Sequence, residues 1–151
     1  MTSITADPQK RANAERLADI FTTMQRSFVL NLSKELSRGN VSFPQYLLLC
    51  FLALEPEPLT MTAVAERMRH TTAAATGIVD RLEKLGYVRR GHEPKDRRKI
   101  LVHITPLGEQ LVQRVRNDMA TTLVGLMDHL EPEEQTTWLT IYEKIFPHCP
   151  Q

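Results

Sequence analysis

This sequence of 151 residues has few of the features that mark secreted, membrane or disulfide-stabilised chains. Its two cysteines, Cys50 and Cys149, are too few for a disulfide framework, which fits a reducing compartment. No window approaches the roughly 18 uninterrupted apolar residues of a membrane-spanning helix. The N-terminal residues have no apolar signal core. We therefore expect a cytoplasmic protein with no membrane partner.

The signatures of catalysis and of metal binding are also missing. The sequence has no glycine-rich phosphate loop, and no nucleophile is recognisable beside a base. Its histidines show neither the i, i+4 nor the HExxH spacing of a metal site. We expect no enzyme, no cofactor and no metal. The five histidines are His70, His92, His103, His129 and His148.

The chain also lacks a large net charge. Its formal charge is +1, which at first argues against a polyanionic partner. The charge is unevenly placed, however: residues 67–99 hold ten Lys and Arg against four Asp and Glu, a balance of +6. Residues 1–66 carry −1 and residues 100–151 carry −4. A basic segment between acidic neighbours indicates a nucleic-acid partner.

Helical periodicity dominates both ends of the chain. Apolar residues recur at three- and four-residue spacing over residues 8–37, after Asp7 as an N-cap and Pro8 in the first turn. A short, almost wholly apolar helix follows Ser42, with Gln45 as its capping-box partner. Another long helix begins after Thr105, and a last one lies before Pro147. These patterns predict a mainly α fold.

The basic segment has a different pattern. Two short helices, 63–68 and about 72–85, flank a tight turn and predict a helix-turn-helix. Ala74, Ile78, Leu82 and Leu85 would form the inward face of the second helix, and Gly86 would end it. The period then changes to two, with alternating apolar residues on both sides of a polar tip over residues 91–98. We predict a winged helix-turn-helix with a small β wing.

The shape of a winged helix suits duplex DNA. A helix fits the major groove, where its outward side chains meet base edges. A two-stranded wing reaches the narrower minor groove, where arginine is favoured electrostatically. Other basic residues would neutralise phosphates.

The residues that connect the second helix, the wing and the next helix resemble the MarR family of bacterial winged-helix regulators. The resemblance rests on the run LEKLGYVRR at 82–90, on Pro94, on Asp-Arg-Arg at 96–98 and on Thr-Pro-Leu-Gly at 105–108. It implies a homodimer that binds a pseudo-palindromic operator, usually as a repressor released by a small molecule or an oxidant. Residues 42–105 would form the DNA-binding domain, and residues 1–38 with 106–151 the dimerisation region, built from long terminal helices.

The resemblance also implies which residues meet DNA. In the family the second helix enters the major groove, and the wing aspartate holds the arginine that enters the minor groove. The second helix lacks Arg, Lys, Gln and Asn on its first turns, so shape readout is expected to carry part of the specificity. The recognition-helix residues are Thr71, Thr72, Ala73, Thr76, Gly77 and Arg81. Those of the wing are Lys95, Asp96, Arg97 and Arg98. Candidate phosphate contacts are Arg67, Arg69, Lys84, Arg89, Arg90 and Lys99.

Several alternatives stay open at this level. Arg81 either meets phosphate or pairs with an acid in the fold. An apolar or amphipathic effector would be lined by Phe21, Met24, Phe28, Tyr46 and Phe51, which are also typical core residues. An effector-independent architectural DNA-binding protein, or a winged-helix module that binds protein, would have the same patterns. Whether either cysteine is redox-active is undecided, and buried cysteine is usually inert packing.

Overall fold

The computed structural model describes residues 7–148, which form six α-helices and three short strands. The helices and strands confirm the predicted winged helix-turn-helix within a mainly α fold. In chain order they are α1 Pro8–Gly39, α2 Phe43–Leu54, β1 Leu59–Thr60, α3 Met61–Met68, α4 Thr72–Lys84, β2 Val88–Glu93, β3 Asp96–Ile104, α5 Pro106–Met127 and α6 Pro132–Ile145, followed by a 3-10 turn Phe146–His148.

The limits of α1 follow from its caps. The Asp7 carboxylate accepts a hydrogen bond from the Gln9 backbone N–H, so one free donor of the first turn is satisfied. At the other end Asn40 adopts a left-handed conformation, with φ of 54°. Its N–H returns to the carbonyls of Leu36 and Ser37 and closes the last turn. The predicted start of the first helix is therefore confirmed, and its end lies two residues beyond the predicted one.

The helix α2 supplies the centre of the core. The predicted capping box is present, with Ser42 N–H donating to the Gln45 side chain at 2.9 Å. Leu48, Leu49 and Leu52 are buried. All residues from 45 to 52 are buried or half-buried, so every side of the helix is covered there, and only its ends, including Leu54, are exposed.

Two threonines cap the helices of the helix-turn-helix. The Thr60 hydroxyl accepts from Ala63 N–H at 3.1 Å, and the Thr71 hydroxyl accepts from Ala74 N–H at 3.2 Å. Between the helices Arg69 takes a left-handed conformation with φ of 52°, which makes the turn. The first of these helices was predicted to begin at residue 63, but it begins at Met61, because Thr60 provides the cap.

The predicted inward face of α4 is confirmed for Leu82, and Ile78 and Leu85 pack against the core, but the prediction for Ala74 was wrong. Ala75, Val79 and Leu82 are buried, whereas Ala74 is exposed. The apolar side of α4 is therefore wider than predicted, because Val79 is fully buried while the neighbouring Ile78 is half-buried.

The sheet has three antiparallel strands in the order β1-β3-β2. The β2 and β3 strands form the wing, and Leu59 of β1 pairs with Val102 on the other side of β3. The two-residue strand β1 was not predicted, since it is too short to show a period. The wing turn contains only Pro94 and Lys95, so the polar tip predicted over 91–98 was too wide.

Two glycines hold the wing close to the helices around it. Gly86 ends α4 with φ of +81°, a conformation that favours glycine. A Cβ on Gly108, in the first turn of α5, would lie 2.4 Å from the Tyr87 carbonyl oxygen. The Thr105 hydroxyl donates to the Gly86 carbonyl at 2.6 Å, so the start of α5 is bonded to the end of α4.

The chain divides into two compact units, 1–115 and 116–151, of which residues 7–115 and 116–148 are described. The buried apolar core lies in the first unit and is built mostly by α2, α3, α4 and the wing strands. The second unit contains the end of α5 and all of α6, and α6 buries none of its residues. The predicted dimerisation region concerns a second chain and stays a prediction.

Candidate nucleic-acid interface

The first half of α4 presents a smooth, exposed surface. Thr71, Thr72, Ala73 and Gly77 are exposed, and Thr76 is half-buried with its hydroxyl bonded to the Thr72 carbonyl at 2.8 Å. These are the predicted recognition residues, and they lie at the N-cap and in the first two turns of α4. The remaining one of the set, Arg81, lies further along the same helix and is also exposed.

The wing arginine is held at its base and exposed at its end. Asp96 Oδ1 accepts from the Arg98 backbone N–H at 3.1 Å and from Arg98 Nε at 3.3 Å. The Arg98 side chain is nevertheless 93% exposed. The aspartate therefore orients the guanidinium while leaving its terminal nitrogens to solvent. Asp96, Arg97 and Arg98 belong to the first residues of β3, not to a loop.

Arg90 points back to α4. Its Nη1 donates to Glu83 Oε2 and its Nη2 to Asp80 Oδ1, each at 2.6 Å, and its backbone N–H donates to Glu83 Oε1 at 2.9 Å. The Arg90 backbone N–H, followed by its guanidinium, lowers the pKa of Glu83. Sequence reasoning missed Asp80 and Glu83 altogether. Their spacing of three residues on one helix face was a signal, but their partner seven to ten residues away was not identifiable.

Two other candidate phosphate contacts also have acidic partners. Arg67 Nη2 lies 2.5 Å from Glu55 Oε1, and Lys99 Nζ lies 3.4 Å from Glu93 Oε2. Both basic side chains are about half exposed, so these are surface pairs that contribute little to stability. Arg69 is the left-handed residue of the turn between α3 and α4.

The remaining basic candidates lie at the surface of the α4 and wing segment. Within residues 7–148 no ion pair is formed by them, so Arg81 does not pair with an acid as one alternative supposed. Burial, followed by the neighbouring Arg89, lowers the pKa of His103 on β3, which disfavours the charged imidazolium. The exposed candidates without an acidic partner are Arg81, Lys84, Arg89, Lys95 and Arg97.

The five candidate effector residues fall into two groups. Tyr46 and Phe51 of α2 pack against the buried core. Met24 and Phe28 of α1 are half-buried, and Phe21 is 47% exposed. A groove along α1 is lined, among the described residues, by Thr22, Gln25, Arg26, Val29 and Leu30, and thus by none of the five.

The cysteines give no sign of a reactive thiol in the described chain. Cys50 is half-buried on α2, and burial raises the pKa of its thiol, which disfavours the nucleophilic thiolate. Cys149 lies outside the described residues. Across residues 7–148 no cluster of His, Cys, Asp and Glu is arranged to hold a metal ion. None of the described helices is long and apolar enough to cross a membrane.

Comparison with known sequences finds similarity to one family of transcription regulators. Residues 40–99 match the sequence profile of the MarR family. The chain is 31% identical over 106 residues to YfiV, an uncharacterised HTH-type transcriptional regulator of Bacillus subtilis, covering 70% of this chain and 64% of YfiV. It is 28% identical over 119 residues to the HTH-type transcriptional regulator PrsX of Escherichia coli, covering 78% of this chain and 72% of PrsX. The match thus spans less than two thirds of YfiV.

Solved structures agree on the fold. A MarR family protein from Bacillus stearothermophilus superposes with a TM-score of 0.77 at 18% identity, covering 91% of this chain and 96% of that protein. The MepR–DNA complex of Staphylococcus aureus superposes with a TM-score of 0.70 at 18% identity, covering 87% of this chain and 98% of MepR. At these identities the likeness establishes the winged-helix fold.

Proposed function

We propose that this chain is a transcription regulator of the MarR type that binds operator DNA as a homodimer, a proposal supported by the match of residues 40–99 to the MarR family profile and by the similarity to YfiV. One observation carries the proposal: the exposed surface of α4 lies in the same +6 segment as a wing whose Arg98 is oriented by Asp96. The proposed activity is binding, and no catalytic step is part of it.

In this proposal α4 enters the major groove. Its exposed first turns carry small side chains, which allow the helix backbone to approach the base edges closely. The methyl groups of Thr72 and Ala73 are suited to contact thymine methyl groups. Since this surface has no long amide or guanidinium side chain, base readout there is limited. Sequence-dependent groove shape would supply the remaining specificity.

The wing would place Arg98 in the adjacent minor groove. A narrow minor groove has an enhanced negative potential, which attracts an inserted guanidinium. An unpaired Asp96 would repel phosphate. Because its carboxylate is hydrogen-bonded to Arg98, it orients the guanidinium instead. The exposed Lys95 and Arg97 beside it would contact the sugar–phosphate backbone. Further phosphate contacts are assigned to Arg81, Lys84 and Arg89, with Arg67, Arg69 and Lys99 at the margin.

The homodimer is supported by apolar side chains that a single chain leaves in solvent. Large exposed patches of this kind mark interaction surfaces. A two-fold axis would set two copies of α4 about 34 Å apart, one turn of DNA, on a pseudo-palindromic site. The exposed apolar residues of the long helices are Leu17, Ile20, Phe21, Val29 and Leu30 in α1, Leu107, Met119, Val124 and Leu126 in α5, and Leu139, Ile141, Tyr142 and Ile145 in α6.

We further propose that the protein acts as a repressor in the cytoplasm and is released by an apolar or amphipathic small molecule. The half-exposed Phe21, Met24 and Phe28 of α1 are the side chains available to such a ligand. Tyr46 and Phe51 would contribute only where they leave the core. A regulator without an effector is the outcome to be expected if small apolar molecules never weaken DNA binding.

The test is a gel shift on a duplex enriched from a random pool by the wild-type protein. Arg98→Ala should weaken binding to that duplex by about tenfold or more, because the inserted cation is lost. The matched control is Arg16→Ala, which removes the same charge from an exposed site on α1 and should change the affinity little. Equal affinities for wild type and Arg98→Ala at one salt concentration would contradict the wing assignment.

Salt dependence checks the electrostatic part of the proposal. The logarithm of the binding constant should fall steeply and linearly with the logarithm of salt concentration, with a slope of about −0.9 for each neutralised phosphate. A flat plot, or a random pool that yields no bound duplex, would contradict DNA binding itself.

A further inference from the structure

The outer edge of the wing is fastened to the recognition helix by Arg90. Because the sheet order is β1-β3-β2, the strand β2 that carries this residue lies at the edge. An edge strand has backbone donors without a ladder partner. Glu83 of α4 accepts one of them, the Arg90 N–H, and also accepts from the guanidinium. Asp80, three residues earlier on α4, accepts from the other terminal nitrogen. We call these three side chains the α4–wing bridge.

The charge of the α4–wing bridge argues against a phosphate contact. One guanidinium faces two carboxylates, so the three groups together carry a net charge of −1. The Arg90 side chain is 23% exposed, against 93% for Arg98. Its hydrogen bonds go to α4 at both terminal nitrogens. A phosphate would therefore meet a negative cluster in which the cation is already used.

Binding by a winged helix depends on the angle between helix and wing. The helix α4 and the tip of the wing are assigned to neighbouring grooves, whose separation is set by the DNA. A wing free to move relative to α4 would have to be ordered during binding, and this ordering lowers the affinity. A bridge that joins the edge of the wing to α4 orders the wing in the free protein, so binding no longer includes that loss of affinity.

We propose that Arg90 is a positioning residue that presets the wing against α4 for simultaneous contact with both grooves, with Asp80 and Glu83 as its anchors. This inference rests on the proposed DNA binding. It makes these two acids necessary for binding to a polyanion, the opposite of what their charge alone predicts. It also removes Arg90 from the candidate phosphate contacts.

The sign of one effect separates the two roles. The substitutions Asp80→Asn and Glu83→Gln, made together, remove two negative charges near the DNA. If Arg90 touched phosphate, this variant would bind the selected duplex more tightly. If Arg90 positions the wing, the variant should bind about tenfold more weakly, a fold-change typical of coupling between contacting residues. The matched control is Asp19→Asn on α1, which removes an exposed carboxylate elsewhere and should leave the affinity within about twofold.

Three further measurements complete the test. Arg90→Ala should weaken binding about as much as the double variant, and the triple variant no further, since all three break one bridge. The salt slope of Arg90→Ala should equal that of wild type, whereas loss of a phosphate contact would reduce it by about one. Asp80→Asn alone changes an exposed helix residue, so it should fold normally and still weaken binding.

The contrary results are distinct. Tighter or unchanged binding by Asp80→Asn, or a reduced salt slope for Arg90→Ala, would overturn the positioning role while leaving DNA binding intact. If wild-type protein enriched no duplex from the pool, the proposed function and this inference would be overturned together.

Discussion

The winged-helix segment and the terminal helices of this chain treat their apolar residues in opposite ways. Between residues 41 and 104 the large apolar side chains lie mostly inside, and Leu48, Leu49, Val64 and Leu82 are wholly buried. In α6 not one residue is buried, although apolar side chains recur along it. In α1 only the last turns, with Glu35, Leu36 and Gly39, are buried.

The difference indicates which part depends on another molecule. A segment with its own core is stabilised within one chain, whereas apolar helices in water are unfavourable and are usually covered. Charge follows the same division, because residues 67–99 carry +6 and residues 100–151 carry −4. The basic segment is suited to a polyanion, and the terminal helices to a second copy of the chain.

The largest effect is expected where the terminal helices are made polar. Ile141→Glu with Ile145→Glu puts two charges, one turn apart, on the apolar side of α6. Burying unpaired carboxylates in an interface is costly, so the dimer should dissociate at least about 30 times more readily. Light scattering after gel filtration should then report a particle of 17.3 kDa, half the mass of the wild-type dimer.

The control for this variant stays on the same helix. Thr136→Glu with Thr140→Glu adds the same charges with the same spacing at two exposed polar positions. That variant should remain dimeric. If both variants dissociate alike, charge alone is responsible, and the apolar side of α6 is not the interface. Wild-type protein that is already monomeric would remove the difference between the two regions.

A glycine in each region allows the same substitution to be compared. Gly77 lies within α4 and Gly125 within α5, and a Cβ added to either meets no atom within 4 Å. Neither position needs glycine for packing, so Ala should stabilise each helix by about 1 kcal/mol. Gly77→Ala should nevertheless weaken binding to the selected duplex by about tenfold, because the added methyl lies on the surface assigned to the major groove.

Gly125→Ala should raise the thermal midpoint and leave DNA affinity unchanged in the intact dimer. The two variants therefore separate stability from DNA binding. Both should be more stable than wild type, but only Gly77→Ala should bind DNA more weakly. A Gly77→Ala protein that is more stable and binds DNA as tightly as wild type would show that α4 does not approach the bases closely.

Local signals were sufficient to predict most of the helices and the wing. Asp7 with Pro8 fixed one helix start, Ser42 with Gln45 another, and Gly86 the end of α4. Each of these signals acts on residues a few positions away, so a short stretch of sequence contains both partners of the interaction. The Asp96–Arg98 contact was implied by the resemblance to the MarR family, and it too is local, since the partners lie two positions apart.

Interactions between distant residues were not predictable in this way. In α4 the sequence did not show which alanine of residues 73–75 faces the core, because the three side chains are identical. Packing against the rest of the core buries Ala75 and leaves Ala74 exposed. The strand β1 has only two residues, and it is defined by the pairing of Leu59 with Val102 of β3, which is distant in the sequence. Arg90 is like any basic wing residue in the sequence, and only the structure shows its hydrogen bonds to Asp80 and Glu83.

The smallest predicted effect concerns the bond that joins α1 to the winged-helix segment. The buried Tyr87 hydroxyl donates to the carbonyl of Gly39, the last residue of α1, at 2.9 Å. Tyr87→Phe leaves that carbonyl without its donor and should lower the free energy of unfolding by about 1 kcal/mol. A urea titration at fixed protein concentration should show a lower midpoint with an unchanged slope.

The control variant is Thr121→Val, which removes an exposed hydroxyl from α5. That hydroxyl donates to the Asn117 carbonyl, and its loss should change the free energy of unfolding by less than about 0.5 kcal/mol. Equal shifts in the two variants would mean that the end of α1 is fixed by its packing alone, and that the boundary between the regions does not depend on this hydrogen bond.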